Sequence, residues 1–232
     1  MSLTLVSIYP TLLGTYGDGG NVLALQHRAR LHDIAVDVVT VDPGQPLPDS
    51  GDLYVLGGGE DSAQTAAATA LRTDGSLARA AERGAAVLAI CAGYQLLGEY
   101  FPDATSAATP GVGILDVRTD RLPKRAVGEL AATAKTPLTQ TLTGYENHAG
   151  ATHLGPDVHA LGAVRAGIGN GDGSEGAVSG HIVGTYLHGP CLARNPQLSD
   201  LLLGWAAGRE LPFIEESEVT ALREERLKTV LG

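Results

Sequence analysis

The chain has 232 residues, enough for one α/β domain with a sizeable core. Acidic residues outnumber basic ones 26 to 16, the net charge is −10, and the lysines Lys124, Lys135 and Lys228 form no cluster, which argues against a nucleic-acid binder and against direct docking on an anionic membrane. Two cysteines, Cys91 and Cys191, without a C-x-x-C pair, argue against a disulfide framework.

Met1 to Tyr9 has no basic start and no long apolar stretch, so no signal peptide is expected. The apolar runs fall short of a membrane span. A soluble protein of a reducing cytoplasm is the expectation. Leu3 to Tyr9 reads as a strand and Asn21 to Leu31 as a helix with Val22, Leu25 and Ala29 on one face. Val36, Val38, Val39 and Val41 mark a second strand, Pro43 to Gly51 a loop, and Leu53 to Leu56 a third strand. Ser62 to Leu71 and Ser76 to Arg83 are helical by composition, and Gly84 stops the second. Ala85 to Ile90 is a buried fourth strand. It ends at Cys91, followed by Ala92, Gly93 and a stretch from Leu96 to Phe101 read as helical. Strands spaced by helices predict right-handed crossovers and a mainly parallel sheet with ligands at its carboxyl edge.

From Gly111 to Tyr186 the pattern changes. Short β-type segments (Ile114 to Thr119, Ala126 to Ala131, Thr141 to His148, Leu161 to Ala166 and His181 to Leu187) are split by Gly, Pro and Asn. They read as antiparallel hairpins laid against the first half. Gly167 to Gly176 is a glycine-rich loop, expected to be mobile, and Asn195 to Gly208 and Ser217 to Leu231 are closing helices. Without an internal repeat or long linker, residues 1–232 count as a single domain.

The chemistry centres on Cys91. A strand, a tight turn and a helix form an elbow that exposes a nucleophile, with helix N–H groups aimed at the sulfur. An inert buried cysteine is the bland alternative. A base is needed. His188 ends the apolar strand Ile182 to Leu187, just before Gly189-Pro190, which puts an imidazole at another strand end. His148, in Gly144-Tyr145-Glu146-Asn147-His148, is the rival, and the other five histidines look like surface or packing residues. Oxyanion donors would be the N–H of Ala92 and one from Gly57 to Gly59.

These segments resemble a known family. Cys91-Ala92-Gly93-Tyr94-Gln95 resembles the C-x-G-x-Q elbow of class I (triad) glutamine amidotransferases. Gly144 to His148 and Tyr186-Leu187-His188-Gly189 resemble two segments of their cobyric-acid-synthase-like branch. Tyr16-Gly17-Asp18-Gly19-Gly20-Asn21 looks like the start of the GatD family of glutaminase subunits. The resemblance runs from about Tyr9 to Trp205. It implies an α/β fold, glutamine hydrolysis with Cys91 as nucleophile and His188 as acid–base group, and Gly58, Gly59 and Ala92 as oxyanion donors. It also implies Gln95 and Arg125 as substrate contacts. Arg125 would grip the carboxylate, with a surface arginine as the alternative. One position departs: where most of these enzymes carry a glutamate two residues after the histidine, this chain has Pro190. The orienting acid must lie elsewhere in the chain, with Glu146 and Glu175 as candidates, or come from a partner, or be absent.

There is no G-x-x-x-x-G-K-[ST] loop for ATP and no room for a separate synthase domain. The resemblance therefore implies a heterodimer with a MurT-like Mur-ligase subunit that carries ATP and Mg. That ligase would amidate the D-glutamate α-carboxylate of the lipid II stem peptide, near the inner membrane face. No cofactor or metal is expected in this chain. A different acceptor, such as a cobyrinate-type metabolite, and a catalytically silent binding module are the alternatives.

Overall fold

The computed structural model describes residues 2–232. In chain order the strands are β1 (Ser2–Ile8), β2 (Ala35–Val41), β3 (Leu53–Leu56), β4 (Ala86–Ile90), β5 (Tyr100–Pro102), β6 (Ala108–Pro110), β7 (Val117–Ala134), β8 (Leu142–Leu154), β9 (Gly162–Ala166), β10 (Ser174–Glu175), β11 (Ala177–Ser179) and β12 (Ile182–Thr185). The helices are α1 (Gly20–Leu31), α2 (Asp61–Asp74), α3 (Ser76–Glu82), α4 (Ala92–Leu96), α5 (Cys191–Arg194), α6 (Pro196–Ala207) and α7 (Ser217–Leu231).

The main sheet has the order β11-β12-β4-β3-β1-β2, parallel except for β11 at one edge. Every residue of β3, β4 and β12 is buried, whereas β2, at the other edge, is mostly exposed. Continuous apolar runs such as Ala86–Ile90 suit strands covered on both faces. Helix α6 packs on β3, β4 and α1, while α4 packs on α2, β4 and β12. The second sheet is antiparallel apart from β5 on β7, with the order β10-β9-β7-β5-β6 and β8 paired to β7. Among the described residues no helix is long and apolar enough to cross a membrane.

Three expectations are corrected. The apolar stretch after the elbow is not one helix: α4 stops at Leu96, and Tyr100–Pro102 is strand β5. Gly98 explains the turn, because a Cβ there would meet the Val117 carbonyl at 2.6 Å, and the Leu96 and Leu97 carbonyls are taken by Val112 and Ile114. The His181 to Leu187 segment does form an antiparallel hairpin, β12 with β11, but the hairpin is part of the main sheet, where β12 also runs parallel to β4. The glycine-rich loop is tethered: Glu146 accepts the N–H groups of Ile168 (2.8 Å) and Gly169 (2.9 Å), and Asn170 N–H donates to Ser174 O at 2.8 Å.

The junction of β12 with α4 sets a packing limit. The Tyr94 ring is fully buried and lies on Gly184, where any Cβ would overlap it. Gly184→Ala is expected to cost about 1–3 kcal/mol through overpacking. A urea titration should show a lower midpoint at an unchanged slope; an unchanged midpoint would show that the ring moves aside freely.

Candidate active site

Four neighbouring strands, β12, β4, β3 and β1, release their chains at one carboxyl edge, and each release carries part of the site. Cys91 follows β4 directly. Its N–H still donates to Thr185 O at 2.8 Å, but its backbone has turned to φ 51, ψ −107. A side chain at positive φ is strained and persists only where the surroundings fix it. Here the ladder bond on one side and Gln95 N–H on Cys91 O (3.0 Å) on the other fix it. The C-x-G spacing has a steric cause: a Cβ on Gly93 would meet Gly57 O at 2.8 Å and Leu56 Cβ at 3.0 Å.

His188 follows β12. Its backbone is held by an isolated antiparallel bridge to Tyr145, with bonds of 2.8 and 3.1 Å. Its Nδ1 meets Asp18 Oδ1 at 3.1 Å, and both side chains are buried. Its Nε2 is buried with no partner in hydrogen-bond geometry among the described residues. Burial works against a charged imidazole, but hydrogen bonding to Asp18 and Cys91 and the charges of both outweigh it, pushing His188 up to about 10. Asp18 is the firmer of these two partners, since Nε2 is the nitrogen left open.

The carboxylate on His188 Nδ1 thus comes from the same chain, from the loop after β1. Neither Glu146 nor Glu175 takes that place. Glu146 spends its carboxylate on Ile168 N–H, Gly169 N–H and His148 Nε2. Glu175 accepts the Thr185 hydroxyl and Tyr186 N–H, and burial pushes it up to about 7 against those hydrogen bonds. Pro190 has a different use. It seats on Gly20, where any Cβ would strike its ring, and the next turn is held by Leu192 N–H on Asn21 Oδ1 at 2.9 Å. This docks the turn bearing Asp18 against the loop bearing His188.

Gly58 sits where the three side chains converge. A Cβ there would lie 2.9 Å from His188 Cε1, 3.2 Å from Asp18 Oδ2 and 3.3 Å from Cys91 Cβ. Its N–H is not free for an oxyanion, because it donates to Asp18 Oδ2 at 2.7 Å. Gly59 and Ala92 line the pocket beside Cys91, and Ala92 opens α4, where the first N–H groups have no acceptor within the helix. Gln95 is buried, receives Gln64 Nε2 at 2.9 Å and donates to Tyr186 Oη at 3.1 Å. Arg125 stands at the mouth. The β7–β8 register shifts between Arg121 and Ala126, and this bulge turns Arg125 over the pocket, with Nε on Asn147 Oδ1 at 2.7 Å.

Neither rival group replaces its counterpart, although His148 lines the pocket together with Cys91. His148 stacks on Tyr186 at 3.6 Å between ring centres, and both its nitrogens are taken, by Gly150 O and Glu146. Cys191 is fully buried, and burial pushes its thiol well above the ordinary range. Sequence reasoning missed three groups in the site: Asp18, Gln64 and Tyr16, whose ring centre lies 4.9 Å from that of His188. Asp18 left a signal, an acid in a glycine-rich turn after the first parallel strand, but 170 positions from its partner.

The Asp18–His188 contact is testable. Because the folded value exceeds the ordinary 6.5, the protonated ring's contribution to stability is complete below about pH 6.5 and is lost as pH rises through about 10. Asp18→Asn should lower the His188 midpoint in an imidazole NMR titration. A midpoint unmoved by the substitution would show that Asp18 does not hold the proton.

Comparison with known proteins gives the family. Residues 4–196 match the CobB/CobQ-like glutamine amidotransferase domain. The chain is 36% identical to the lipid II isoglutaminyl synthase (glutamine-hydrolyzing) subunit GatD of Staphylococcus aureus, over 99% of this chain and 94% of that one. It is 32% identical to the subunit of the same name from Streptococcus pneumoniae, over 96% of this chain and 90% of that one. A solved glutamine amidotransferase shares the fold, with TM-score 0.59 and 19% identity over 87% of this chain and 98% of that one. A cysteine elbow, a facing histidine and a domain match across most of the chain place it in one family: the protein belongs to the CobB/CobQ-like glutamine amidotransferases.

Proposed function

We propose that this protein is the glutaminase subunit of a two-subunit amidating enzyme. Cys91 attacks the side-chain amide carbon of L-glutamine, and the N–H groups of Gly59 and Ala92 receive the developing oxyanion. Protonated His188 gives its Nε2 proton to the departing ammonia. It then takes a proton from the water that opens the thioester, releasing glutamate and restoring Cys91. Asp18 holds the Nδ1 proton throughout, so the ring keeps one orientation. Gln95 and Arg125 contact the substrate, Arg125 at the α-carboxylate. The observation that carries this reading is the buried open Nε2 of His188 beside Cys91, with its other nitrogen on Asp18.

The acceptor follows from the relatives and from chemistry. Amidation of a carboxylate needs activation, and no ATP-binding loop is legible in the chain. A MurT-like Mur-ligase subunit carrying ATP and Mg would supply it and receive ammonia directly, since ammonia released to water is protonated and lost. The names of the GatD relatives support the D-glutamate α-carboxylate of the lipid II stem peptide as acceptor. The assembly would then work in the cytoplasm at the membrane that holds its lipid-linked substrate. Because Asp18 fills the orienting role, no acid needs to come from the partner.

Ammonia release from glutamine, with and without a Mur-ligase-like subunit and its lipid II acceptor, tests the reading. Cys91→Ser should abolish release without unfolding the chain, while Cys191→Ser should leave it nearly intact. Release surviving Cys91→Ser would sink the assignment. His188→Ala should cost roughly 10²–10⁴ in rate. His148→Ala should cost much less, and the reverse ranking would mean that the base is His148.

A further inference from the structure

The pocket mouth carries an acid that neither the fold nor the mechanism uses. Glu60 is the N-cap residue of α2, yet its side chain makes no capping hydrogen bond. It is exposed, lines the pocket that contains Cys91, and forms no ion pair among the described residues. The neighbouring acid, Asp61, is by contrast engaged with Arg121 Nη2 at 3.4 Å. Arg125, across the mouth, also has no carboxylate partner among the described residues; its bonds go to Asn147 and Tyr16. Tyr16 links the two sides. Its hydroxyl lies 3.4 Å from Glu60 Oε1 and 3.4 Å from Arg125 Nη2.

Two opposite charges in contact with one hydroxyl, but not with each other, leave a gap with a cationic wall and an anionic wall. An α-amino acid has the complementary head group, since its carboxylate and ammonium share one carbon. We infer that Glu60 is a specificity-determining residue that accepts the α-ammonium of the substrate while Arg125 takes its α-carboxylate. This rests on the glutaminase reading and extends it to the amino group. Desolvation, then Glu60, raises the Tyr16 hydroxyl pKa while Arg125 lowers it, so both charges act at this point. The Tyr16 ring packs on His188, so the head-group site abuts the acid–base group. Two charge-assisted anchors would orient the side-chain amide toward Cys91 and reject amides that lack the amino group.

The test compares L-glutamine with 4-carbamoylbutanoate, which is glutamine without its α-amino group. Ammonia release is measured for wild type and Glu60→Gln, with the ligase subunit present. Glu60→Gln should lower kcat/KM for glutamine about 10- to 100-fold, the effect of losing a hydrogen bond to a charged group. The loss should fall mainly in KM, and the value for 4-carbamoylbutanoate should barely change. Glu60→Asp should recover part of the preference. An equal loss on both substrates, or no loss on glutamine, would overturn the inference. A second readout is alkylation of Cys91 by 6-diazo-5-oxo-L-norleucine, with protection by each amide. L-Glutamine should protect wild type at lower concentration than 4-carbamoylbutanoate does, and Glu60→Gln should erase that difference. Wild type that neither releases ammonia from glutamine nor is alkylated at Cys91 would remove the glutaminase reading itself. An active wild type with an indifferent Glu60→Gln would remove only the role of Glu60.

Discussion

The two oxygens of Asp18 hold the site together. One meets His188 Nδ1 and the other receives Gly58 N–H, so a single buried carboxylate ties the loops after β1, β3 and β12. The loop after β4 is bound in from the other side, through Cys91 N–H on Thr185 O. A buried charge with only one partner would be costly, and the backbone donor makes this one tolerable. The strain in Cys91 depends on the same closure. A positive φ on a side-chain-bearing residue survives where neighbouring elements leave the chain no lower-energy path. Gly58 sets the tolerance: any side chain there would force His188, Asp18 and Cys91 apart.

The second sheet serves the site mainly by holding backbone. Tyr145 bridges to His188, and Gly144 lets that approach happen, since a Cβ there would meet His188 O at 3.0 Å. Glu146 and Glu175 resemble catalytic acids by position and burial, yet both spend their lone pairs on backbone N–H groups of segments that have left the ladder. Glu175 takes Tyr186 N–H where β12 ends, and the Thr185 hydroxyl, bound to the same carboxylate, takes Leu187 N–H at 3.1 Å. A chain leaving a buried sheet must place those donors somewhere. A carboxylate close by lets His188 stand clear of the sheet without orphaned amides behind it.

Much of this was legible in the sequence, and the boundary of legibility has a physical cause. The parallel strands, the elbow at Cys91 and the strand end at His188 follow from local apolar runs and the residues that break them. Helix α7 appears with the bounds that its composition suggests, Ser217–Leu231. What failed was whatever depends on distant pairing. The strand Ile182–Thr185 looks the same on paper whether its hairpin with Ala177–Ser179 stays in an antiparallel layer or joins β4 in parallel. Tyr100–Pro102 is apolar and fits a helix until Gly98 meets the Val117 backbone. Asp18 stands in a family-like turn that by itself gives it no role, because nothing local says that Pro190 will seat on Gly20 and bring the two loops together. Pro190 stands where an acid would be expected, and the fold brings the carboxylate of Asp18 to His188 instead.

Charge at the mouth is a matter of contact and not of long range. The chain carries −10, but glutamine has no net charge, so the overall field neither draws it in nor keeps it out. Over a Debye length of about 8 Å in physiological salt, distant acids matter little at the pocket, and neighbouring groups decide. That gives weight to the bulge between Arg121 and Ala126. A regular β7–β8 ladder would alternate its side chains strictly between the two faces of the sheet, with no freedom to turn one toward the edge. The break frees Arg125 to lean over Cys91 and face Glu60 across Tyr16. A chain poor in basic residues thereby places an arginine where an α-carboxylate would arrive, and a neutral zwitterion can be held there by two local contacts that the protein's net charge leaves almost untouched.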